Sequence, residues 1–188
     1  MGAKTLLTVE QLEQLPEIDD ISYELDQGEL VEVPSTNLRH NWIRGKSARL
    51  LGNHLEAHKG QGIILEEQRF RLAEDIVRGP DVALIGPEQL RLLDWDKWAQ
   101  AFAPTLVIEV TSPSNTVDRL AKKIRQYLEA GVRTVWIIVT PMREIHVYAA
   151  GARPKILCTG DALEEPTLLP GFSVRVADLF PDESAETF

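Results

Sequence analysis

One cysteine, Cys158, stands in 188 residues, which excludes an internal disulfide framework and any thiolate cage for a metal. Long apolar runs are also missing. VWIIV at 135–139 falls far short of the roughly 20 residues that cross a bilayer, so no membrane span is expected. Positive charge is scarce: 20 Lys and Arg against 29 Asp and Glu leave a net charge of −9. That balance excludes a general nucleic-acid coat, which needs surplus cations to displace counterions, but leaves room for an enzyme with a local basic groove. No glycine-rich phosphate loop is present, because Gly60-Gln61-Gly62 lacks the continuation of either nucleotide fingerprint, and no serine-hydrolase elbow occurs. The opening MGAKTLLTVEQL lacks the basic, apolar and small-residue succession of a secretion signal, and Leu6 stands where a myristoylation signal has Ser or Thr. The expected location is the cytoplasm.

What is there reads as one α/β domain over residues 1–188: an N-terminal helix and hairpin (1–34), a core (35–150), and C-terminal strands with an acidic tail (151–188). Thr8 and Gln11 form a capping box for a helix over 8–15, ended by Pro16. SYELDQGELVEVP alternates about Gly28 and predicts a hairpin with strands near 22–26 and 29–33. A helix follows to about His58, its inward stripe running through Ile43, Ser47, Leu50, Leu51, His54 and Leu55, and Gly60 and Gly62 stop it. IILEEQRFRL reads as one extended segment and DVALI as a strand covered on both faces. Residues 86–104 permit a helix through Leu90, Leu93 and Trp98. TLVIEVT predicts a buried strand, Ser112-Pro113-Ser114 a turn, and 116–130 a helix ended by Gly131. TVWIIV and EIHVYA flank a Pro141-Met142-Arg143 turn, and GFSVRVADLF adds short extended pieces.

Asp81 and Glu109 carry the chemistry, because each lies in or beside an otherwise apolar strand. An ionised carboxylate buried there costs several kcal/mol unless a cation or hydrogen bonds compensate. Each alone could pair with an Arg or cap a backbone donor. Together, with a strand-end carbonyl such as that of Val110 and waters, they make an oxygen site suited to Mg²⁺. In the following helix the apolar stripe is Leu120, Ile124, Tyr127 and Leu128. Lys123 falls about 85° from its centre and Lys122 about 175°. Lys122 therefore points to solvent, whereas Lys123 borders the buried face and can carry its ammonium toward Glu109. An ammonium beside two carboxylates can hold or deprotonate a water that attacks phosphorus. The plainer reading is a Lys–Glu pair at a helix edge.

GPDVALI, then LVIEVTSPS, then KKIRQYLEAGV with VWIIV, resemble the PD-(D/E)XK nuclease superfamily, and within it the Uma-two family of restriction-endonuclease-like proteins, a domain of unknown function. The likeness extends from YELDQGELVEV and RHNWIRGKSARLLGNHL through HVYA. It implies a restriction-endonuclease-like core: a central mixed β-sheet flanked by helices, with the N-terminal hairpin extending it. It places the first acidic ligand at Asp81 after Pro80, the second at Glu109, and the lysine at Lys123. Two departures stand out. The superfamily's lysine two residues after the Glu is here Thr111, and the resemblance implies that it has moved to the following helix. The early helix also lacks a mid-helix acid; Glu24 or Glu29 of the hairpin could take that place, and His40 could contact the site or the substrate.

Other candidates are weaker. His54 and His58 have the spacing of helical zinc ligands, but no third ligand accompanies them, and His54 reads as a hydrogen-bonded core residue. Arg39, Lys46 and Arg49 on the first long helix and Arg119 on the second could track phosphates, or be merely solvated. Trp95 and Trp98 could stack on bases or form a dimer face, with packing in a short helix the simpler use. The expected function is a Mg²⁺-dependent endonuclease, Mn²⁺ substituting, that acts on DNA, and a homodimer would serve duplex cleavage. Asp81, Glu109 and Val110 would hold the metal and Lys123 would position or activate water. The competing readings are a non-catalytic binding or assembly module that keeps the nuclease fold, and a hydrolase of another phosphate ester.

Overall fold

The structure is a computed structural model that describes residues 6–15, 21–58, 62–112 and 116–182. Pro16, Gly60, Pro113, Ser114 and the end of the acidic tail, all used in the sequence reading, lie outside the described residues. Thr8 opens α1 (Val9–Glu13) with the expected capping box. The Gln11 N–H donates to the Thr8 hydroxyl, and the Thr8 N–H donates to the Gln11 carboxamide. β1 (Ile21–Asp26) and β2 (Glu29–Pro34) form the hairpin, with Asp26 opposite Glu29. Gln27 and Gly28 both have positive φ, 54° and 79°, which matches the twist of a two-residue hairpin turn. α2 (Leu38–Ala57) starts where the Asn37 side chain accepts the His40 N–H.

β3 (Ile63–Glu66), β4 (Arg69–Ala73), β5 (Ile76–Arg78) and β6 (Val82–Ile85) follow, then α3 (Pro87–Leu90), β7 (Ala99–Gln100) and β8 (Leu106–Val110). α4 (Val117–Glu129) crosses from β8 to β9 (Thr134–Val139), which lies parallel to β8. β10 (Glu144–Ala149), β11 (Lys155–Leu157), β12 (Ala162–Glu164), β13 (Ser173–Arg175) and a 3-10 turn at Val176–Leu179 complete the described chain.

The central sheet has the order β11-β10-β9-β8-β6-β3 and is mixed, only β8 and β9 running parallel. Side chains alternate across it. Leu106, Ile108 and Val110 of β8 face α2 through Ile43, Leu51 and Leu55, while Val107 faces α4 through Ile124 and Tyr127. Leu163, Leu169, Phe172, Val176, Leu179 and Phe180 close the α2 side, so the C-terminal pieces belong to the main core.

Three expectations are corrected. The hairpin does not extend the central sheet; it joins a second sheet of order β2-β1-β5-β4-β7. The cause lies at Glu67, whose left-handed backbone (φ 55°) turns the chain out of β3, so that IILEEQRFRL becomes two strands in two sheets. β4 returns as β5, whose free edge then takes β1 through Leu25↔Val77. Residues 86–104 hold only the four-residue α3 and the two-residue β7. Trp95 is 80% exposed, and Trp98 packs beneath Arg69, whose guanidinium carbon lies 4.5 Å from the ring centroid. Neither tryptophan packs within a helix.

Candidate active site

Asp81 stands one residue before β6, and β6 runs antiparallel to β8, so Asp81 comes beside the end of β8. There the Val110 N–H donates to Asp81 Oδ2 at 2.6 Å, and His40 Nε2 of α2 approaches the same oxygen at 3.2 Å. Continuing the register Val82↔Ile108 by two residues sets Val110 opposite Pro80. Proline has no N–H, so the ladder offers the Val110 carbonyl no donor at that position.

Glu109 shares the α4 side of the sheet with Val107 by the two-residue alternation. Lys123 Nζ lies 2.8 Å from Glu109 Oε1 and 3.0 Å from Oε2, and the Tyr127 hydroxyl, one turn along α4, donates to Oε1 at 2.6 Å. The same ammonium is 3.0 Å from Glu24 Oε1 on β1. Glu24 in turn accepts from Arg78 Nη1 at 2.9 Å and from the Gly79 N–H at 3.0 Å. Arg78 also donates to Gln126 and pairs with Asp26, which receives Lys122 and the Gln126 amide as well. The half-exposed Lys122 is thus ion-paired rather than simply pointing to solvent.

The electrostatics follow from burial and this crowding. Burial, together with the negative charges of Asp81 and Glu24, raises the Glu109 pKa to about 7 against the opposing pull of Lys123. Burial disfavours the charge on Lys123, but Glu109 and Glu24 outweigh it and hold its pKa above the ordinary lysine range. Burial likewise opposes the charge on Glu24, yet Lys123, Arg78 and the Gly79 N–H keep its pKa below normal. Tyr127 is pushed well up by burial and by the two glutamates, and it remains a phenol donor.

Asp81, Glu109, Val110, Lys123, Glu24 and His40 are therefore gathered at the strand ends where β8 finishes beside the start of β6. Glu29 is exposed at the start of β2, across the hairpin from Asp26. Thr111 is occupied in joining β8 to the β9 end: its hydroxyl accepts the Thr140 N–H and its carbonyl accepts from the Thr140 hydroxyl. His54 is half-buried, stacked on His58 and edge-on to Phe172. His146 lies 3.1 Å from Glu144. The sequence reading missed Arg78, Gln126 and the Tyr127 hydroxyl. An arginine in IVRGPD was the available signal for the first; Tyr127 sits on a helical stripe that reads as packing alone, and Gln126 falls about 145° from that stripe's centre, where helical geometry predicts solvent.

The donors that could hold a cation are the carboxylates of Asp81 and Glu109 and the Val110 carbonyl. Their chemistry fits a hard divalent ion: all are oxygens, and a cation beside them would offset the burial and the neighbouring Asp81 and Glu24 charges that raise the Glu109 pKa. Among the described residues no three His, Cys, Asp or Glu side chains form a metal cage by themselves. A Mg²⁺ site here would be completed by the carbonyl and by waters, which that ion retains readily. No described helix is long and apolar enough to cross a membrane.

The fold has a solved counterpart, the crystal structure of a "putative nuclease belonging to DUF820" from Anabaena variabilis ATCC 29413. The match has a TM-score of 0.81 and 18% identity, covering 93% of this chain and 97% of that one. It establishes a shared fold. No curated protein matches the chain. A family model matches residues 9–177, from α1 through the 3-10 turn that closes the core. The chain belongs to the Uma2 family, described as "Putative restriction endonuclease".

Proposed function

We propose that the protein is a Mg²⁺- or Mn²⁺-dependent endonuclease that hydrolyses phosphodiester bonds of DNA in the cytoplasm. The observation that carries this reading is the gathering of Asp81, Glu109 and Lys123 where β8 ends beside the start of β6, with Lys123 Nζ 2.8 Å from Glu109. Asp81, Glu109 and the Val110 carbonyl hold the ion. When bound, it supplies Lewis-acid stabilisation of charge on the phosphoryl oxygens. Lys123, held above the ordinary lysine range, stays an ammonium. It orients the attacking water and the phosphate by hydrogen bonding rather than taking the proton. Glu24, kept ionised by Lys123 and Arg78, fixes that ammonium in place, and Tyr127 fixes the Glu109 carboxylate. Cleavage of both strands requires two such sites, which a homodimer provides.

The test is calorimetric titration with Mg²⁺ and Mn²⁺ of wild type and Asp81→Ala, with plasmid cleavage in the same samples. Metal binding and cleavage in wild type, both lost in Asp81→Ala, are expected. A folded wild type that neither binds metal nor cuts DNA would put the binding-module reading in its place.

A further inference from the structure

α2 presents one face that the fold leaves uncovered. From Val33 to Leu55 the chain has no Asp or Glu, although 29 of its 188 residues are acidic, and the same stretch carries Arg39, Arg44, Lys46 and Arg49. At about 100° per residue, Leu38, Trp42, Lys46 and Arg49 fall within an arc of about 80°, opposite the buried Ile43, Ser47 and Leu51. Leu38 is 84% and Trp42 51% exposed. Arg44, on the flank, is tied to Glu66 and Glu67, whereas no ion pair engages Lys46 or Arg49 among the described residues.

The first turn of this helix also reaches the site, since His40 Nε2 lies 3.2 Å from Asp81 Oδ2. Along the axis, Trp42, Lys46 and Arg49 stand about 3, 9 and 14 Å beyond His40 and about 120–180° around the helix from it, so a strand reaches them from the site by passing around the α2 N-terminus. DNA presents one phosphate per roughly 3.4 Å of axis on each strand, so a backbone passing the site meets several phosphates over that span. A second copy fits less well, because an isologous contact would set this cationic face against its own image.

We propose that the outer face of α2 docks the DNA strand flanking the phosphate at Asp81. Lys46 and Arg49 hold backbone phosphates, and Trp42 packs on a base or sugar. This rests on the nuclease reading above.

The test is fluorescence anisotropy of a short labelled duplex and of its separated strand, in Ca²⁺ and in EDTA, over a salt series. Wild type is compared with Lys46→Ala/Arg49→Ala, with Trp42→Ala, and with Arg153→Ala/Lys155→Ala. The last changes net charge equally at the β10–β11 end of the sheet, and thermal melting checks that every variant is folded. For the better-bound probe, Lys46→Ala/Arg49→Ala should weaken binding about tenfold or more and lower the salt slope by about 2. Trp42→Ala should weaken it about fivefold or more with the slope unchanged, and the control should stay within about twofold of wild type. The proposal is overturned if wild type binds neither probe, if the α2 variants match wild type, or if the control loses as much as they do. It is also overturned if sedimentation shows a wild-type dimer that Trp42→Ala dissociates without affecting DNA binding. Failure of the nuclease reading looks different: DNA docks on α2 as described, yet wild type binds no metal and cuts nothing.

Discussion

A buried carboxylate with a pKa near 7 makes stability depend on pH in a definite sense. Glu109 goes from an ordinary value of 4.5 to about 7 on folding, mainly through burial. Below pH 4.5 it is protonated whether folded or not. Between the two values only the unfolded chain releases the proton, so rising pH favours unfolding until the folded group ionises. Glu24, shifted down, and Lys123, shifted up, contribute steadily across that window. In EDTA, the urea midpoint of wild type relative to Glu109→Gln should therefore fall from pH 5 to pH 8; a flat difference would contradict the shift. Arg78 gives a second expectation. It is only 4% exposed and neutralises Glu24 and Asp26, so Arg78→Met should cost about 3–5 kcal/mol by urea denaturation. Arg78→Met/Glu24→Gln should recover part of that loss. A third concerns His40. It touches the same Asp81 oxygen that Val110 N–H holds, leaving Oδ1 to turn toward a metal. His40→Ala should weaken Mn²⁺ binding about 10- to 100-fold in calorimetry, and His40→Gln, whose amide nitrogen can replace Nε2, should restore much of it. Asp81 and Glu109 were legible in the sequence because charge inside an apolar strand requires compensation, and Lys123 because helical geometry fixed its side. Arg78 was not: next to Gly79-Pro80 it reads as the polar end of a strand, and its partners come from β1 and α4, far away in sequence.

Elements were legible where their signals are local. Thr8 with Gln11, Gly28 in its turn, and Gly131 after α4 each act within a few residues, and the structure has those elements within a residue or two of expectation. Gly131 itself has φ 99°, and nothing lies within 4 Å of where a Cβ would be. Gly131→Ala should thus cost about 1 kcal/mol from backbone conformation alone, with no packing penalty, as measured by a shift in the urea midpoint at unchanged slope. The second sheet was illegible for the opposite reason. β5 has three residues and β7 two, too short for alternation to show, and they exist through pairing with β1 and β4. That sheet also sets the site, since it carries Glu24 and Arg78 up to α4.

Across the whole molecule, the central sheet needs cover on both faces, and α2 is too narrow to cover six strands. On its side the remaining cover comes from chain after β11, where Leu163, Phe172, Val176 and Leu179 close over Trp136 and Ile138. A sequence reading sees short extended pieces and an acidic end there, because the contacts that order them are with strands far back in the chain. Their burial is as complete as that of α2: Leu179 is 2% exposed and Leu51 1%. If both belong to one cooperative core, Leu179→Ala and Leu51→Ala should each cost about 2–5 kcal/mol and unfold the protein in a single urea transition seen alike by fluorescence and circular dichroism. Were the C-terminal pieces a flap laid on a finished domain, Leu179→Ala would leave that transition in place and speed only local amide exchange near residues 162–179. A shared core predicts the former, because the surface Leu179 covers is the same one on which α2 rests, and through α2 it also bears on how His40 meets Asp81.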